Sequence, residues 1–365
     1  MKRIIVLVSN DLSYDQRVAK TCTWWHEKGY EVDLLGFTKS GSRPVVFLYN
    51  HHRFPNPFRQ GVLFYAWIQL RLFFYLLFQR ADAVWCNDLD TLWPAVSLKK
   101  WKKWKVMYDA HECFTESVGL LGHPFKRSIW LTIERICMPK VNHCFTVSRG
   151  IQEFYRDKYI QPFQVIRNLP DLSVAPVSTD RPESWKGKHV LFYHGVFNPH
   201  RGLDELIEII PLLQNVILVL VGYGEHEVVL KDKVKILCLE EKVVFLGAMN
   251  YPNILGLLQH ADLGIALEKP VSESFKWALP NKIFDYARMN LPFVTLGNPE
   301  VKIILDKYPM GWIIPSLEPI ILSSSVSSFL GEIPKTKESF DIARKSFFID
   351  NNAKMEWKIL ETIVE

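Results

Sequence analysis

The chain has 365 residues, of which 48% are hydrophobic and 23% are charged. These proportions are ordinary for a globular protein and exclude a disordered tail or a fibre. The length exceeds that of one ordinary core, so we expect two domains. Lys and Arg number 44 against 39 Asp and Glu, a net charge of +5. This excess suits an anionic ligand or membrane surface but is too small to indicate a nucleic-acid-binding protein.

The N-terminus and the cysteines favour a cytoplasmic protein. In "MKRIIVLVSN" the apolar run ends before Ser9, which is too short for a signal peptide and is typical of a first strand. The cysteines form no C-x-x-C pair and have no spacing typical of a zinc site. We therefore expect buried, reduced thiols.

Short apolar runs alternate with helical patterns along the first half of the chain. The segments between the runs are long enough for helices, for example 15–28 and 126–137. This alternation is typical of βαβ units and predicts a parallel sheet covered by helices. The strands predicted here are 3–8, 31–37, 83–86, 105–108, 143–147 and 163–166.

The pattern breaks at a segment rich in Pro, Ser and Asp and then resumes. We predict a domain over 1–168, a linker over 169–189, a second domain over 190–336, and C-terminal helices over 337–365 that return to the first domain. Two tandem doubly wound domains would present the carboxyl ends of their sheets to a shared cleft. The strands predicted for the second domain are 190–194, 216–221, 243–246, 262–267, 292–296 and 312–314.

The stretch "LFYHGVFNPHRGLDELIEII", residues 191–210, has the strand, turn and helix order of a phosphate site. It contains neither G-x-x-x-x-G-K-[ST] nor G-x-G-x-x-G. Arg201 at the helix start is the candidate phosphate ligand, and Gly202 would let the backbone approach. The alternative is a solvated arginine at a helix start.

Nine segments in this order resemble the glycosyltransferase family 4 group of the GT-B fold. The resemblance implies transfer of a sugar from a nucleotide-diphosphate donor, with retention at the anomeric carbon and without a metal or other cofactor. The segments are "SNDLSYDQRVAKTCTWWHEKGYEVDLLG", "ADAVWCNDLDTLWPA", "YDAHECFTES", "CFTVSRGIQEFY", "VIRNLPD", "HGVFNPHRGLDELI", "LVGYGE", "VVFLGAMNYPNILGLLQHADLGIAL" and "ALPNKIFDYARMNLPFV".

The resemblance assigns the donor diphosphate to Arg201, Gly202 and Lys282, and the donor ribose to Asp285. Lys282 stands in a first helical turn, where the dipole prefers anions, and a bound diphosphate would explain it. Many relatives carry a second basic residue where this chain has Val196.

Trp277 replaces the first of the family's two glutamates. Either Glu273 or Ser274 substitutes for it, or the backbone amides around Leu279 to Asn281, a stretch that includes Pro280, hold the sugar; we prefer the amides. The nucleobase is expected near Gly222, Gly247, Ala248 and Met249.

In the first domain, His111 and Glu112 follow the predicted strand 105–108, at the edge where α/β sheets present catalytic groups. A neutral imidazole can bond a sugar hydroxyl or a backbone carbonyl, and the resemblance implies a histidine at this place in contact with the transferred sugar. The alternative is a structural histidine that bonds near Asp109. Asn10 and Arg17 are secondary candidates, for which helix capping and a surface ion pair are the alternatives.

Two segments suggest a peripheral location on the inner face of the cell membrane. Residues 62–78 are apolar nearly all round but short for a span, so we expect a helix at an interface. Lysines and tryptophans interleave nearby, a pattern suited to anionic lipids, although a solvated helix end is the alternative. These residues are Lys99, Lys100, Trp101, Lys102, Lys103 and Trp104.

The sequence therefore favours a retaining glycosyltransferase that uses a UDP- or GDP-sugar and a glycan or lipid-linked acceptor in surface polysaccharide synthesis. A non-catalytic nucleotide-sugar-binding protein is the alternative that Trp277 and Val196 favour. A nucleotide-sugar epimerase with the same fold is another alternative.

Overall fold

The computed structural model describes residues 1–364 apart from residues 14, 39–41, 43 and 59–60. The chain forms two compact units. The first comprises Met1–Asn168, Ser272–Ser274 and Trp357–Glu365, and the second comprises Leu169–Val271 and Phe275–Glu356.

The first unit contains a parallel sheet of seven strands in the order β3-β2-β1-β4-β5-β6-β7. Successive strands are added on one side of β1 up to β3 and on the other side from β4 onwards. The order of the strands therefore reverses between β1 and β4, and such a switch point is where parallel sheets bind ligands. The strands are β1 (Arg3–Leu7), β2 (Glu31–Thr38), β3 (Asn50–Pro55), β4 (Ala83–Asn87), β5 (Lys105–Ala110), β6 (His143–Thr146) and β7 (Phe163–Val165). The helices between them are α1 (Gln16–Glu27), α2 (Val62–Leu77), α3 (Leu92–Lys102), α4 (Pro124–Cys137) and α5 (Arg149–Lys158).

The second unit contains a parallel sheet of six strands in the order β10-β9-β8-β11-β12-β13. Its switch point lies between β8 and β11. The strands are β8 (His189–Val196), β9 (Val216–Tyr223), β10 (Val243–Gly247), β11 (Leu263–Ala266), β12 (Phe293–Thr295) and β13 (Gly311–Ile313). The helices from this part of the chain to its end are α6 (Leu203–Ile209), α7 (Glu227–Ile236), α8 (Tyr251–Leu258), α9 (Glu273–Lys276), α10 (Asn281–Arg288), α11 (Pro299–Lys307), α12 (Pro319–Asp350), α13 (Ala353–Trp357) and α14 (Glu361–Val364).

The central strands of each sheet are buried on both faces, as continuous apolar runs predict for parallel sheets. In the first unit the rings of Trp85 and Phe145 stack across the core with centroids 4.9 Å apart. Trp357, Leu360 and Ile363 near the C-terminus join the same cluster of buried side chains. The end of the chain is therefore part of the core of the first unit.

All the strands predicted from the sequence are present, with ends that differ by one or two residues. The edge strand β3 was missed, because its sequence "NHHRFP" is largely polar and it pairs only with β2. The helix expected from residue 337 begins at Pro319 instead, and Pro334 lies inside it. Of the six cysteines, Cys238 is exposed and the others are buried; all are free.

The apolar segment 62–78 forms α2, as expected. Ile68, Leu72 and Leu76 bury one face of this helix against the unit. No helix among the described residues is long and apolar enough to cross a membrane.

Arg17 lies in a buried ion pair rather than in the surface pair weighed from the sequence. The side chain is 3% exposed, and its NH2 and Nε donate to the two carboxylate oxygens of Asp109 at 2.7 and 2.9 Å. Its NH1 donates to the carbonyl of Ile166 at 2.6 Å. Asp15 caps α1 by accepting from the amide of Val18 at 3.1 Å. Arg17 thus ties α1 to β5.

Removing Arg17 should destabilise the first unit strongly. We expect Arg17→Met to lower the free energy of unfolding by about 3–5 kcal/mol, because it leaves the Asp109 carboxylate buried without its main counter-ion. Urea denaturation measures the change. The matched control is Arg156→Met, whose pair with Asp157 is exposed and whose loss should change stability by less than about 1 kcal/mol. Equal effects of the two variants would contradict a structural role for Arg17.

Candidate functional site

Three charged side chains meet at the carboxyl edge of the second sheet. Arg201 precedes α6, which follows β8. Glu268 follows β11 by two residues, and Lys282 is the second residue of α10. Because β8 and β11 are neighbours at the switch point, Arg201 and Glu268 are brought together there.

Glu268 is the shared counter-ion of the two cations. Its Oε1 lies 2.5 Å from Lys282 Nζ and 3.6 Å from Arg201 NH1, and its side chain is 2% exposed. Burial alone would raise the pKa of Glu268, but Lys282 and then Arg201 outweigh it and hold the pKa below its usual value of 4.5. The carboxylate is therefore ionised, and two positive charges share one negative charge.

Arg201 retains hydrogen-bonding capacity beyond this pair. Its Nε is buried and has no hydrogen-bond partner among the described residues. Its guanidinium carbon lies 4.8 Å from the centroid of the Phe275 ring, which fixes the plane of the fork. A buried donor without an acceptor costs free energy, so an anion at this position would be stabilising.

Two glycines leave the edge open to a ligand. Gly202 has φ +71° at the start of α6, and a Cβ there would collide with Leu267. Gly195 has φ +136° at the end of β8, where an added Cβ would lie 3.9 Å from Lys282 Nζ. Val196, in the place of the basic residue that relatives carry, is 43% exposed. Lys282, which belongs to α10, places its charge beside Gly195.

Asp285 lies one turn after Lys282 and is already bonded. Its Oδ1 accepts from the hydroxyl of Tyr251 at 2.5 Å, and its Oδ2 lies 3.6 Å from His194 Nε2. Burial, and then the charge of Lys282, lowers the pKa of His194 to about 3, so this ring is neutral. A neutral ring therefore faces the Asp285 carboxylate.

The other predicted donor-site residues lie around the same edge or inside the core. Gly222 ends β9 beside Gly195, and Gly247 ends β10 with φ +69°. Ala248 and Met249 follow, and Met249 packs half-buried against the core. Leu279 is buried in that core, Pro280 caps α10 and Asn281 begins it. The Trp277 ring lies 4.9 Å from Lys276 Nζ.

In the first unit, His111 lies between two carboxylates. Its Nδ1 is 3.5 Å from Asp88 Oδ2 and its Nε2 is 3.4 Å from Asp109 Oδ2. Burial alone would lower the pKa of His111, but Asp88 and then Asp109 raise it to about 9. The two carboxylates therefore stabilise the imidazolium form over the neutral imidazole considered from the sequence.

Asp88 is held in a backbone conformation that favours glycine. It has φ 59° and ψ 167° directly after β4, and its Oδ1 accepts from the amide of His111 at 2.9 Å. Such a conformation costs on the order of 1–3 kcal/mol and is found where the surroundings require it. Here it allows one carboxylate to bond both the backbone and the ring of His111.

The remaining candidates of the first unit differ in exposure. Ser274 belongs to this unit, is buried, and donates its hydroxyl to Glu112 Oε2 at 3.1 Å. Asn10 is exposed at the loop after β1, and its carbonyl accepts from the amide of Phe37. Ser274 and Glu112 therefore form a polar pair next to His111.

The basic segment at the C-terminal end of α3 does not form a single surface. Lys100, Trp101 and Lys103 are exposed, whereas Lys99 and Lys102 are half-buried. Trp104 is 2% exposed and donates Nε1 to the carbonyl of Ala95 at 3.0 Å. Including Trp104 in a lipid-facing patch was wrong, because the indole packs inward where the chain enters β5.

Sequence reasoning missed Glu268 and Asp88, although a signal was present. Each is the first charged residue after a predicted strand next to a switch point, β11 and β4 respectively. That position presents side chains to a ligand site. No group of three or more His, Cys, Asp or Glu with metal-binding geometry occurs among the described residues.

Solved structures share the fold of the whole chain. Sucrose-phosphate synthase from Thermosynechococcus elongatus is 12% identical, with a TM-score of 0.76 over 100% of this chain and 99% of that one. HepE from Anabaena, solved with UDP and glucose, is 15% identical, with a TM-score of 0.74 over 100% of both chains. WaaG, a glycosyltransferase involved in lipopolysaccharide biosynthesis, is 14% identical, with a TM-score of 0.69 over 98% and 99%. The chain has the GT-B fold of two Rossmann-type domains.

Two family models match the chain. The one described as Glycosyltransferase Family 4 matches residues 16–174, and the one described as Glycosyl transferases group 1 matches residues 178–275. Together they cover more than two thirds of the sequence, and the chain belongs to the family 4 glycosyltransferases. No curated protein sequence matches it.

The charge on His111 can be measured directly. We expect an NMR titration to give His111 a pKa of about 9. Because this exceeds the ordinary value of 6.5, the charged ring stabilises the folded state fully below pH 6.5, and the contribution is lost as pH rises through about 9. Asp88→Asn should lower the pKa of His111, while Asp157→Asn, an exposed carboxylate, should leave it unchanged. An unshifted His111 in the parent would contradict the carboxylate pairing.

Glu268 should be replaceable by an added anion. We expect Glu268→Gln to destabilise the protein by about 3–5 kcal/mol, since Lys282 is left buried without its closest counter-ion. Inorganic pyrophosphate should then raise the melting temperature of the variant by more than that of the parent. Glu205→Gln, which breaks the half-buried pair with Lys269, is the control. Equal responses of the parent and Glu268→Gln to pyrophosphate would be the contrary result.

Proposed function

We propose that this glycosyltransferase transfers a sugar, with retention and without a metal ion, from a UDP- or GDP-sugar to a glycan or lipid-linked acceptor in surface polysaccharide synthesis. The observation that carries the proposal is the convergence of Arg201 and Lys282 on one buried carboxylate, Glu268. Two cations that lie at the starts of helices, next to the switch point of the second sheet, are suited to binding a diphosphate.

The donor contacts follow from this placement. The diphosphate binds Arg201 and Lys282, whose charges stabilise the leaving nucleotide in the role that a metal ion has in other transferases. Asp285 accepts hydrogen bonds from the ribose, with its carboxylate oriented by Tyr251. The backbone of residues 279–281 and Ser274 contact the sugar, and residues 222 and 247–249 lie near the base.

His111 is the proposed catalytic residue. It lies beside the transferred sugar as an imidazolium, and Asp88 and Asp109 hold its charge and orientation. The reported HepE structure, which contains UDP and glucose, supports a uridine nucleotide as the first donor to test. The exposed Lys100, Trp101 and Lys103 support a peripheral membrane location.

Trp277 favours a second candidate function. An indole cannot replace the carboxylate that relatives have at this position, so a nucleotide-sugar-binding protein without transfer activity is the alternative. Nucleotide release from a panel of UDP- and GDP-sugars, with and without acceptor, distinguishes the two. Release of UDP or GDP supports transfer, whereas binding without release supports the alternative. An altered sugar still attached to its nucleotide would indicate an epimerase.

Variants of Arg201 and His111 should affect different steps, nucleotide binding for Arg201 and turnover for His111. We expect Arg201→Ala to weaken UDP or GDP binding by about 1.5–3 kcal/mol, the scale of charge-assisted hydrogen bonds. His111→Ala should lower turnover far more than nucleotide affinity, because the ring serves the reacting sugar. Calorimetry and single-turnover kinetics measure the two effects.

The control for these variants is Lys269→Ala. Lys269 is a cation of the second unit that pairs with Glu205, so its loss should change neither property. Unchanged nucleotide affinity in Arg201→Ala would contradict the phosphate assignment. Equal losses of affinity and turnover in His111→Ala would favour a structural role for that ring.

A further inference from the structure

A groove of about 360 Å³ lies between α2 and α4 in the first unit. Val62, Tyr65 and Gln69 line it from α2, and Ile129, Trp130 and Ile133 line it from α4. Its volume falls within the range of small-molecule sites. The lining is mainly apolar, although the groove is open to solvent.

The groove reaches the proposed catalytic residues at one end. Glu112, which follows His111 directly, lines it together with Phe114. The rings of Tyr65 and Trp130 meet edge to face at 5.2 Å, and Trp130 meets Phe114 at 4.9 Å. The aromatic wall therefore continues from the apolar helices to the carboxylate beside His111.

The outer faces of both helices are apolar and exposed. On α2, Leu63, Leu70 and Phe74 are 61%, 50% and 54% exposed at spacings of seven and four residues, which places them on one stripe. On α4, Phe125 is 76% exposed. A chain bound in the groove would thus lie beside an apolar surface rather than beside a polar one.

The helices near the groove carry mostly positive charge. Residues 61–80, 92–105 and 117–140, which contain α2, α3 and α4, include eleven lysines and arginines and one acidic residue, Glu134. The loop before α4 adds Glu112, which lines the groove, and Glu116, which pairs with Arg127. The Glu134 side chain is fully buried and paired with Lys158. Lys126, in the first turn of α4, lines the groove itself. The surface therefore complements an anionic group attached to an apolar chain.

We propose that this groove binds the hydrocarbon chain of a lipid-linked acceptor that carries a phosphate. The chain lies between α2 and α4, the phosphate lies at Lys126, and the sugar hydroxyl that accepts the transferred sugar lies at Glu112. This inference rests on the proposed function and narrows the acceptor to a lipid. A purely polar glycan would leave the exposed aliphatic side chains of Val62 and Ile129, which line the groove, in contact with water.

The test uses monomeric dodecyl phosphate as the probe and two matched variants of α4. Ile129→Glu places a charge in the groove, where Ile129 is 39% exposed. Ile136→Glu places the same charge on the same helix seven residues later, outside the groove lining, and both sites are exposed enough for folding to survive. We expect calorimetry to show binding by the parent and by Ile136→Glu, and at least tenfold weaker binding by Ile129→Glu.

A second variant and a second probe test the phosphate. Lys126→Gln should weaken dodecyl phosphate binding several-fold, and inorganic phosphate at the same concentration should not compete. Equal losses in Ile129→Glu and Ile136→Glu would show a general apolar surface and overturn the inference. The inference would also be overturned if the parent did not bind dodecyl phosphate, or if Ile129→Glu or Lys126→Gln bound it as the parent does. Full competition by inorganic phosphate would overturn it as well.

Nucleotide binding separates this inference from the proposed function. UDP and GDP affinities, measured on the same samples, should match the parent in both α4 variants, because the proposed nucleotide contacts belong to the second unit. A parent that binds a nucleotide but not dodecyl phosphate refutes the lipid groove alone. A parent that binds neither UDP nor GDP refutes the proposed function and, with it, the acceptor role of the groove.

Discussion

The parallel alignment of the strands is the constraint on which both candidate sites depend. Every strand pair in the two sheets of the described chain is parallel. The carboxyl ends of neighbouring strands therefore meet at one edge, and residues far apart in sequence come together there. Asp88 and His111 meet after β4 and β5, and Arg201 and Glu268 meet after β8 and β11. Neither group exists in any local stretch of the chain.

Burial of charge then determines what each edge can bind. In the second unit one carboxylate, Glu268, serves two cations, so the edge can accept a further anion. In the first unit two carboxylates flank His111 and raise its pKa, so the edge favours the positively charged ring. Buried charges are tolerated only when they are paired. The pairing partners are therefore as important to each edge as the residues that would contact a ligand.

The first unit also carries a feature that core formation does not require. Folding needs only one face of α2 to be apolar, and Ile68, Leu72 and Leu76 supply it. The exposed Leu63, Leu70 and Phe74 add apolar area on the opposite side. Exposed apolar area of this kind marks a contact surface for a protein, a membrane or a ligand. The lipid acceptor that we infer would use both the groove and this surface.

The sequence by itself determined the alternation of strands and helices, because apolar runs of strand length separated by helical periods have few other solutions. It also determined the candidates that follow predicted strands or begin helices, such as His111, Arg201 and Lys282. The edge strand β3 was not predicted, because a strand with one neighbour and a largely solvated surface needs no apolar pattern.

Only the tertiary structure decided the protonation of His111, the burial of Arg17 and Trp104, and the role of Glu268. Each of these depends on distances to side chains contributed by other elements. Hydrogen bonding and Coulomb interactions change steeply over a few ångströms, whereas a sequence pattern specifies faces and periods rather than distances.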